Sequence, residues 1–129
     1  MSLRSPLGRV LGLGSAREGV GHWWVQRVSS VALVPLSLWF VVSMAALGTL
    51  DYGVIVDFVQ APFNAFLLLL LALTLAYHSY LGVSVVLEDY VHAPLTKITS
   101  LMLVRFAHVL AGGAAVFAVL RIAFGNHLS

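Results

Sequence analysis

The feature that most constrains this 129-residue chain is the length of its uncharged apolar stretches. Residues 28–48 and residues 58–87 contain no charged side chain, and residues 101–124 contain only two, Arg105 and Arg121. About 20 apolar residues in a helix cross the hydrocarbon core of a bilayer. With 60% hydrophobic and 9% charged residues, the composition excludes a soluble globular domain and a disordered chain.

These stretches predict an all-α membrane protein with three transmembrane helices, over about residues 28–48, 60–88 and 100–124. Six of the seven basic residues either precede the first helix or lie between the second helix and the first turns of the third. Because basic residues concentrate on the inner side of a membrane, this distribution predicts that the N-terminus lies inside and the C-terminus outside. The basic residues of the inner side are Arg4, Arg9, Arg17, Arg27, Lys97 and Arg105.

Two parts follow from this topology, a cytoplasmic segment over residues 1–27 and a three-helix membrane domain over residues 28–129. Five glycines and Pro6 predict that the first segment is irregular, and it lacks the apolar core of a secretory signal. We therefore expect a multi-pass protein of a bacterial inner membrane. The net charge of +2 gives no reason to expect a nucleic-acid partner, and the absence of cysteine excludes iron–sulfur and thiolate sites.

His78 is the polar residue that most needs an explanation, because it lies roughly 13 Å inside the membrane by helical rise. Its imidazole can either hydrogen-bond a neighbouring helix or ligate a metal. Gly82 lies one turn further along the same face, where a missing side chain would suit a flat macrocycle such as haem. Close helix packing explains that glycine equally well.

A second polar group lies where the same helix ends, at Asp89 and Tyr90. Asp89 follows His78 by about three helical turns, so the two side chains point in similar directions. Carboxylates at a helix C-terminus oppose the macrodipole, which makes a purely structural cap a poor explanation. A tyrosine hydroxyl beside a carboxylate can bind and protonate a quinone carbonyl, whereas an interfacial anchor is the plainer interpretation of Tyr90.

Two further groups of polar residues leave alternatives open. Arg27 and His22 precede the first helix and could hold an anionic group such as a haem propionate, beside tryptophans typical of an interfacial belt. His108 has Gly112 four residues later and lies at a depth similar to that of His78. An intrachain bis-histidine site is therefore possible, and so is a hydrogen bond between helices.

Taken together, these motifs resemble those of the D-type hydrophobic membrane anchor subunits of succinate dehydrogenase. The resemblance rests on HSYLG at residues 78–82, LEDYV at residues 87–91 and the Gln26-Arg27 pair that follows Gly-His. It extends from about residue 19 through the third helix. Its most specific element is a mid-membrane histidine placed 11 and 12 residues before an Asp-Tyr pair. The Ser-Pro-His and His-Arg signatures of the C-type anchor are missing.

The resemblance implies that His78 is an axial ligand of a haem b whose other ligand comes from the partner subunit. It also implies that Tyr90 hydrogen-bonds ubiquinone beside Asp89, that Arg27 lies near the haem propionates, and that His22 is a further propionate contact. The implied partners are the C-type cytochrome b556 anchor, an iron–sulfur subunit, a flavoprotein subunit and membrane lipid. The three transmembrane helices would pack with that anchor into a larger bundle.

In this interpretation the chain performs no succinate chemistry alone, but it forms part of a succinate:quinone oxidoreductase. Two other hypotheses remain open from the sequence. One is a different small membrane cytochrome b, in which His78 and His108 of one chain both ligate the haem. The other is a structural three-helix assembly partner, in which the histidines only form hydrogen bonds.

Overall fold

A computed structural model describes residues 15–125, with side chains from residue 19 onward. This part of the chain is helical, with α1 over Ser15–Ala46, α2 over Tyr52–Gln60, α3 over Pro62–Tyr90 and α4 over Pro94–Phe124. The helices α1, α3 and α4 are long and apolar enough to cross a membrane. The prediction of an all-helical chain with three membrane-spanning helices is therefore confirmed.

Helix α1 begins earlier than the sequence suggested. The expectation of an irregular segment up to residue 27 is wrong from Ser15 onward, because α1 runs through Gly19 and Gly21 without a break. A glycine costs about 1 kcal/mol in a helix interior, but a helix entering lipid satisfies its own backbone hydrogen bonds, which an irregular segment does not. The three earlier glycines and Pro6 lie outside the described residues.

The uncharged stretch over residues 58–87 is divided between two helices, α2 and α3, and α3 starts at Pro62, close to the predicted start near residue 60. Ala61 separates α2 from α3 with an extended backbone at φ −63° and ψ 120°. A residue before proline avoids the helical region, and Pro62 itself suits the first position of a new helix. The Asn64 side-chain amide donates to the Phe58 carbonyl over 2.9 Å and fastens the junction.

Helix α3 lies between α1 and α4 and packs against both. Its contact with α4 is close at Gly112, where an added Cβ atom would lie 3.1 Å from the Cβ atom of Ala76. Large apolar side chains elsewhere are exposed, for example Val31 at 73%, as expected of a surface that faces lipid or other membrane helices. The central position of α3 presents its side chains to α1 on one side and to α4 on the other.

Candidate functional site

His78 lies on the side of α3 that faces α1. Its Nδ1 atom is 2.8 Å from Oγ of Ser29, a buried residue of α1. The same Ser29 hydroxyl donates to the Gln26 carbonyl oxygen over 2.9 Å. Because a serine hydroxyl has only one proton, this network assigns the proton of the imidazole to Nδ1, which donates to Ser29. The lone pair of His78 then lies on Nε2.

The Nε2 atom of His78 has no hydrogen-bond partner among the described residues. The only buried side-chain polar atoms without a partner in that part of the chain are Oε1 of Gln26 and Oγ of Ser84. Nε2 is therefore accessible at the surface of the chain rather than sealed inside it. By helical rise, His78 lies about 18 Å from Tyr90 and about 24 Å from Pro62, so this open nitrogen is near the middle of α3.

His108 has the opposite character, because hydrogen bonds occupy both of its ring nitrogens. Nδ1 donates to the Val104 carbonyl over 2.8 Å, which leaves Nε2 to accept from the Ser79 hydroxyl at 3.1 Å. Ser79 directly follows His78, and successive helix residues are about 100° apart. The two imidazoles therefore lie on different sides of α3, and this geometry does not favour one haem held between His78 and His108.

Gly82 and Gly112 differ in how much their packing requires a glycine. A Cβ atom added at Gly82 would meet only Nε2 of Gln26, at 4.0 Å, which is an ordinary van der Waals distance. A Cβ atom at Gly112 would crowd Ala76 at 3.1 Å. Close helix packing therefore explains Gly112 but does not require a glycine at Gly82, where a Cβ atom would fit.

The predicted quinone residues lie at the end of α3. Tyr90 is the last residue of the helix and is 79% exposed, and Asp89 is also exposed. The hydrogen bonds there involve backbone groups of this segment: the Val91 N–H donates to the Leu87 carbonyl over 2.9 Å, and Nδ1 of His92 donates to the Tyr90 carbonyl over 3.1 Å. Both side chains are thus free to contact a ligand or another subunit. The structure does not bring Tyr90 next to His78, since about 18 Å of helix separates them.

The two predicted propionate contacts lie on different sides of α1. His22 precedes Ser29 by seven residues, or two turns, so it points toward α3 as Ser29 does. Arg27 precedes Ser29 by two residues and points away from α3. Its guanidinium lies 5.4 Å from the centre of the Trp23 ring, a cation–π contact.

The sequence interpretation did not single out Ser29, although Ser29 holds the imidazole of His78. The available signal was the pair Ser29-Ser30 within an apolar helix, where each hydroxyl requires a partner. The Ser30 hydroxyl also donates to the Gln26 carbonyl, over 2.8 Å, but Ser30 makes no hydrogen bond to His78. Which serine meets the imidazole depends on how α1 is rotated against α3.

Comparisons with known proteins show which family the chain belongs to. Residues 1–120 match the family described as succinate dehydrogenase/fumarate reductase transmembrane subunit. A succinate dehydrogenase hydrophobic membrane anchor subunit of Rickettsia bellii (strain RML369-C) is 32% identical over 116 residues, covering 90% of this chain and 93% of the relative. The subunit of the same name in Paracoccus denitrificans is 31% identical over 114 residues, covering 88% of each chain.

A third relative has a similar identity over a shorter stretch. The succinate dehydrogenase membrane anchor subunit of Reclinomonas americana is 30% identical over 92 residues, covering 69% of this chain and 77% of the relative. The family match covers all three membrane-spanning helices almost to the end of α4, together with His78, Asp89 and Tyr90. The chain therefore belongs to the family of succinate dehydrogenase/fumarate reductase transmembrane subunits, and it is a membrane anchor of the succinate dehydrogenase type.

Proposed function

We propose that His78 of this anchor subunit ligates a haem b through Nε2, and that Tyr90 and Asp89 help to bind ubiquinone at the inner surface. The observation that carries the haem assignment is the hydrogen bonding of the two ring nitrogens of His78. Nδ1 is held by Ser29, and Nε2, near the middle of a membrane-spanning helix, has no hydrogen-bond partner among the described residues. An ionisable side chain at that depth is costly unless it has a partner.

The residues around His78 fit a haem in two respects. The neutral imidazole with its proton on Nδ1 is the form that coordinates iron, and metal-bound histidines commonly donate their other N–H to an oxygen. At Gly82 an added Cβ atom would meet only the side-chain end of Gln26, at 4.0 Å, so this glycine keeps the face of α3 beside His78 free of a bulky side chain. When bound, the haem supplies one-electron transfer within the membrane.

A second histidine would help to hold the haem, and we propose that another subunit supplies it. His108 uses both of its nitrogens in hydrogen bonds, and no group of three or more metal-binding side chains occurs within the described residues. The C-type cytochrome b556 anchor is the natural source, because a shared haem would lie between the two membrane subunits. This arrangement also places exposed apolar surface of the chain against helices of that partner.

Tyr90 and Asp89 are suited to act on a quinone, which gains two electrons and two protons when it is reduced to a quinol. The Tyr90 hydroxyl can donate to a quinone carbonyl oxygen, where negative charge develops as electrons arrive. The Asp89 carboxylate can position that tyrosine or relay protons from the aqueous phase. In this proposal the electrons come from the flavoprotein through the iron–sulfur subunit, so the chain itself oxidises no succinate.

Arg27 and His22 complete the proposed site as contacts for the haem propionates. A guanidinium binds a carboxylate through two parallel hydrogen bonds, and His22 shares the α3-facing side of α1 with Ser29. Arg27 reaches a propionate only if its side chain leaves the face of Trp23. We further propose that the protein lies in a bacterial inner membrane with its N-terminus inside, where basic residues are concentrated.

The haem assignment is tested by comparing two histidine variants in the intact complex. His78→Ala should abolish the low-spin bis-histidine signal in electron paramagnetic resonance and shift the reduced-minus-oxidised spectrum. His108→Ala is the matched control, since it removes another imidazole at similar depth, and it should retain both signatures. An unchanged haem signal in His78→Ala would instead support a purely structural role for that histidine.

A further inference from the structure

A cavity of about 390 Å³ lies between α1 and α3, and of the residues proposed to bind haem and quinone it is lined only by His22. Gln26 and Ser84 form part of its wall, together with apolar side chains of α3. His22 and Glu88 line its end nearest the C-terminus of α3. The cavity therefore runs from the inner end of the helix pair toward the interior of the membrane domain.

Two of its lining residues have buried polar atoms with no hydrogen-bond partner. Ser84 is only 8% exposed, and neither its Oγ atom nor Oε1 of Gln26 has a partner within the described residues. These are the only such buried side-chain atoms in that part of the chain. A serine in a helix commonly donates to the carbonyl four residues earlier, but Ser84 does not. Buried polar groups are rarely left unsatisfied, so both atoms indicate an occupant.

The polar wall continues along one face of α3. Tyr80, Ser84 and Glu88 follow one another at intervals of four residues, so their side chains lie one above the other. Glu88 is exposed, and so is His22 across the cavity on α1. A hydrogen-bonding occupant at Ser84 can thus be continuous with the aqueous phase at the Glu88 end.

The chemistry of the two unpartnered atoms narrows the identity of the occupant. Oε1 of Gln26 is an acceptor and requires a donor, whereas the Ser84 hydroxyl can donate or accept. An oxidised quinone offers only acceptors and a lipid acyl chain offers neither. Water offers both, and the cavity far exceeds the 10–15 Å³, roughly, that one molecule requires.

We propose that this cavity holds ordered water, bound by Ser84 and Gln26 and continuous with the aqueous phase past His22 and Glu88. The site is distinct from the open Nε2 of His78. The inference does not depend on haem binding, so an absence of haem at His78 would leave it intact.

The direct test is a high-resolution density map of the intact complex. We expect water density within about 2.7–3.2 Å of both Ser84 Oγ and Gln26 Oε1. We also expect that density to be lost in Ser84→Val, which removes the hydroxyl and fills part of the space. A dry cavity, an acyl chain or a side chain of another subunit at Ser84 would overturn the proposal.

Thermal stability gives an independent test that needs no map. Removing a hydroxyl that binds water should lower the Tm of the complex in Ser84→Ala, because a satisfied hydrogen bond is lost. Ser37→Ala, at an exposed serine of α1, is the control and should leave the Tm unchanged. A higher Tm in Ser84→Ala is the result expected of a hydroxyl with no partner, and it would contradict bound water.

Discussion

Replacing Ser29 with alanine removes the acceptor that fixes the imidazole of His78. The hydrogen bond from His78 Nδ1 to Ser29 Oγ is 2.8 Å long, and Ser29 is only 7% exposed. Solvent therefore does not replace the lost hydroxyl as an acceptor. Leaving a buried N–H without an acceptor costs about 1–3 kcal/mol. Loss of an outer hydrogen bond to a metal ligand typically weakens the metal site about 10- to 100-fold. A tenfold change is about 1.4 kcal/mol, so the two magnitudes agree.

The assay is competition between His78 and carbon monoxide for the reduced haem of the intact complex. A weaker bond from His78 to iron should lower the apparent Kd for carbon monoxide by about 10- to 100-fold in Ser29→Ala. The haem midpoint potential should also rise, because an imidazole that has lost its hydrogen bond donates less electron density to ferric iron. Ser29→Thr keeps a hydroxyl and should restore both properties.

Ser30→Ala is the matched control for this prediction. The Ser30 hydroxyl donates to the same Gln26 carbonyl as that of Ser29 but does not contact His78. Ser30→Ala should therefore leave carbon monoxide binding and the potential unchanged. Equal effects in Ser29→Ala and Ser30→Ala, or none in either, would refute the reasoning that the Ser29 hydrogen bond holds the ligand.

Three further predictions concern helix packing and the quinone site. Gly112→Val should lower the free energy of unfolding by about 1–3 kcal/mol, measured as a lower Tm of the complex, because the valine side chain would crowd Ala76. Gly113→Val, with open space around it, should not, and equal losses would contradict the packing argument. Gly82→Ala should retain haem whereas Gly82→Leu should reduce the haem-to-flavin ratio, and full haem in Gly82→Leu would assign that glycine no role beside the haem. Tyr90→Phe should lower quinone reductase activity with assembly and haem content intact, a result that normal turnover would exclude.

The number and type of membrane spans could be predicted from the sequence because lipid imposes a length and a polarity on each helix. The first and last residues of each helix were harder to predict from the sequence. Helix α1 already includes Ser15, because the helical backbone tolerates Gly19 and Gly21. The energetic cost of each glycine did not predict where the helix starts. The break at Ala61 follows from Pro62, but the sequence did not reveal that the preceding residues form a helix of their own.

The candidate site was predictable to the extent that its polar residues are conspicuous in lipid. His78 stands out for that reason, and its Nε2, where a ligand is proposed, has no hydrogen-bond partner in the part of the chain that the structure describes. Ser29 does not stand out, because a serine is inexpensive in a membrane helix and its partner depends on the rotation of α1 against α3. The same limitation applied to His108, whose bonds to Ser79 and Val104 appear only once α3 and α4 are packed.

The most direct measurement of the central claim is a density map of the complete complex at a resolution that shows ring orientation and bound cofactors. We expect Nε2 of His78 to lie at bonding distance from a haem iron, with Nδ1 donating to Ser29 and a second ligand supplied by another subunit. An imidazole that faces lipid, or one whose Nε2 bonds only to another protein group with no porphyrin beside α3, would contradict the assignment.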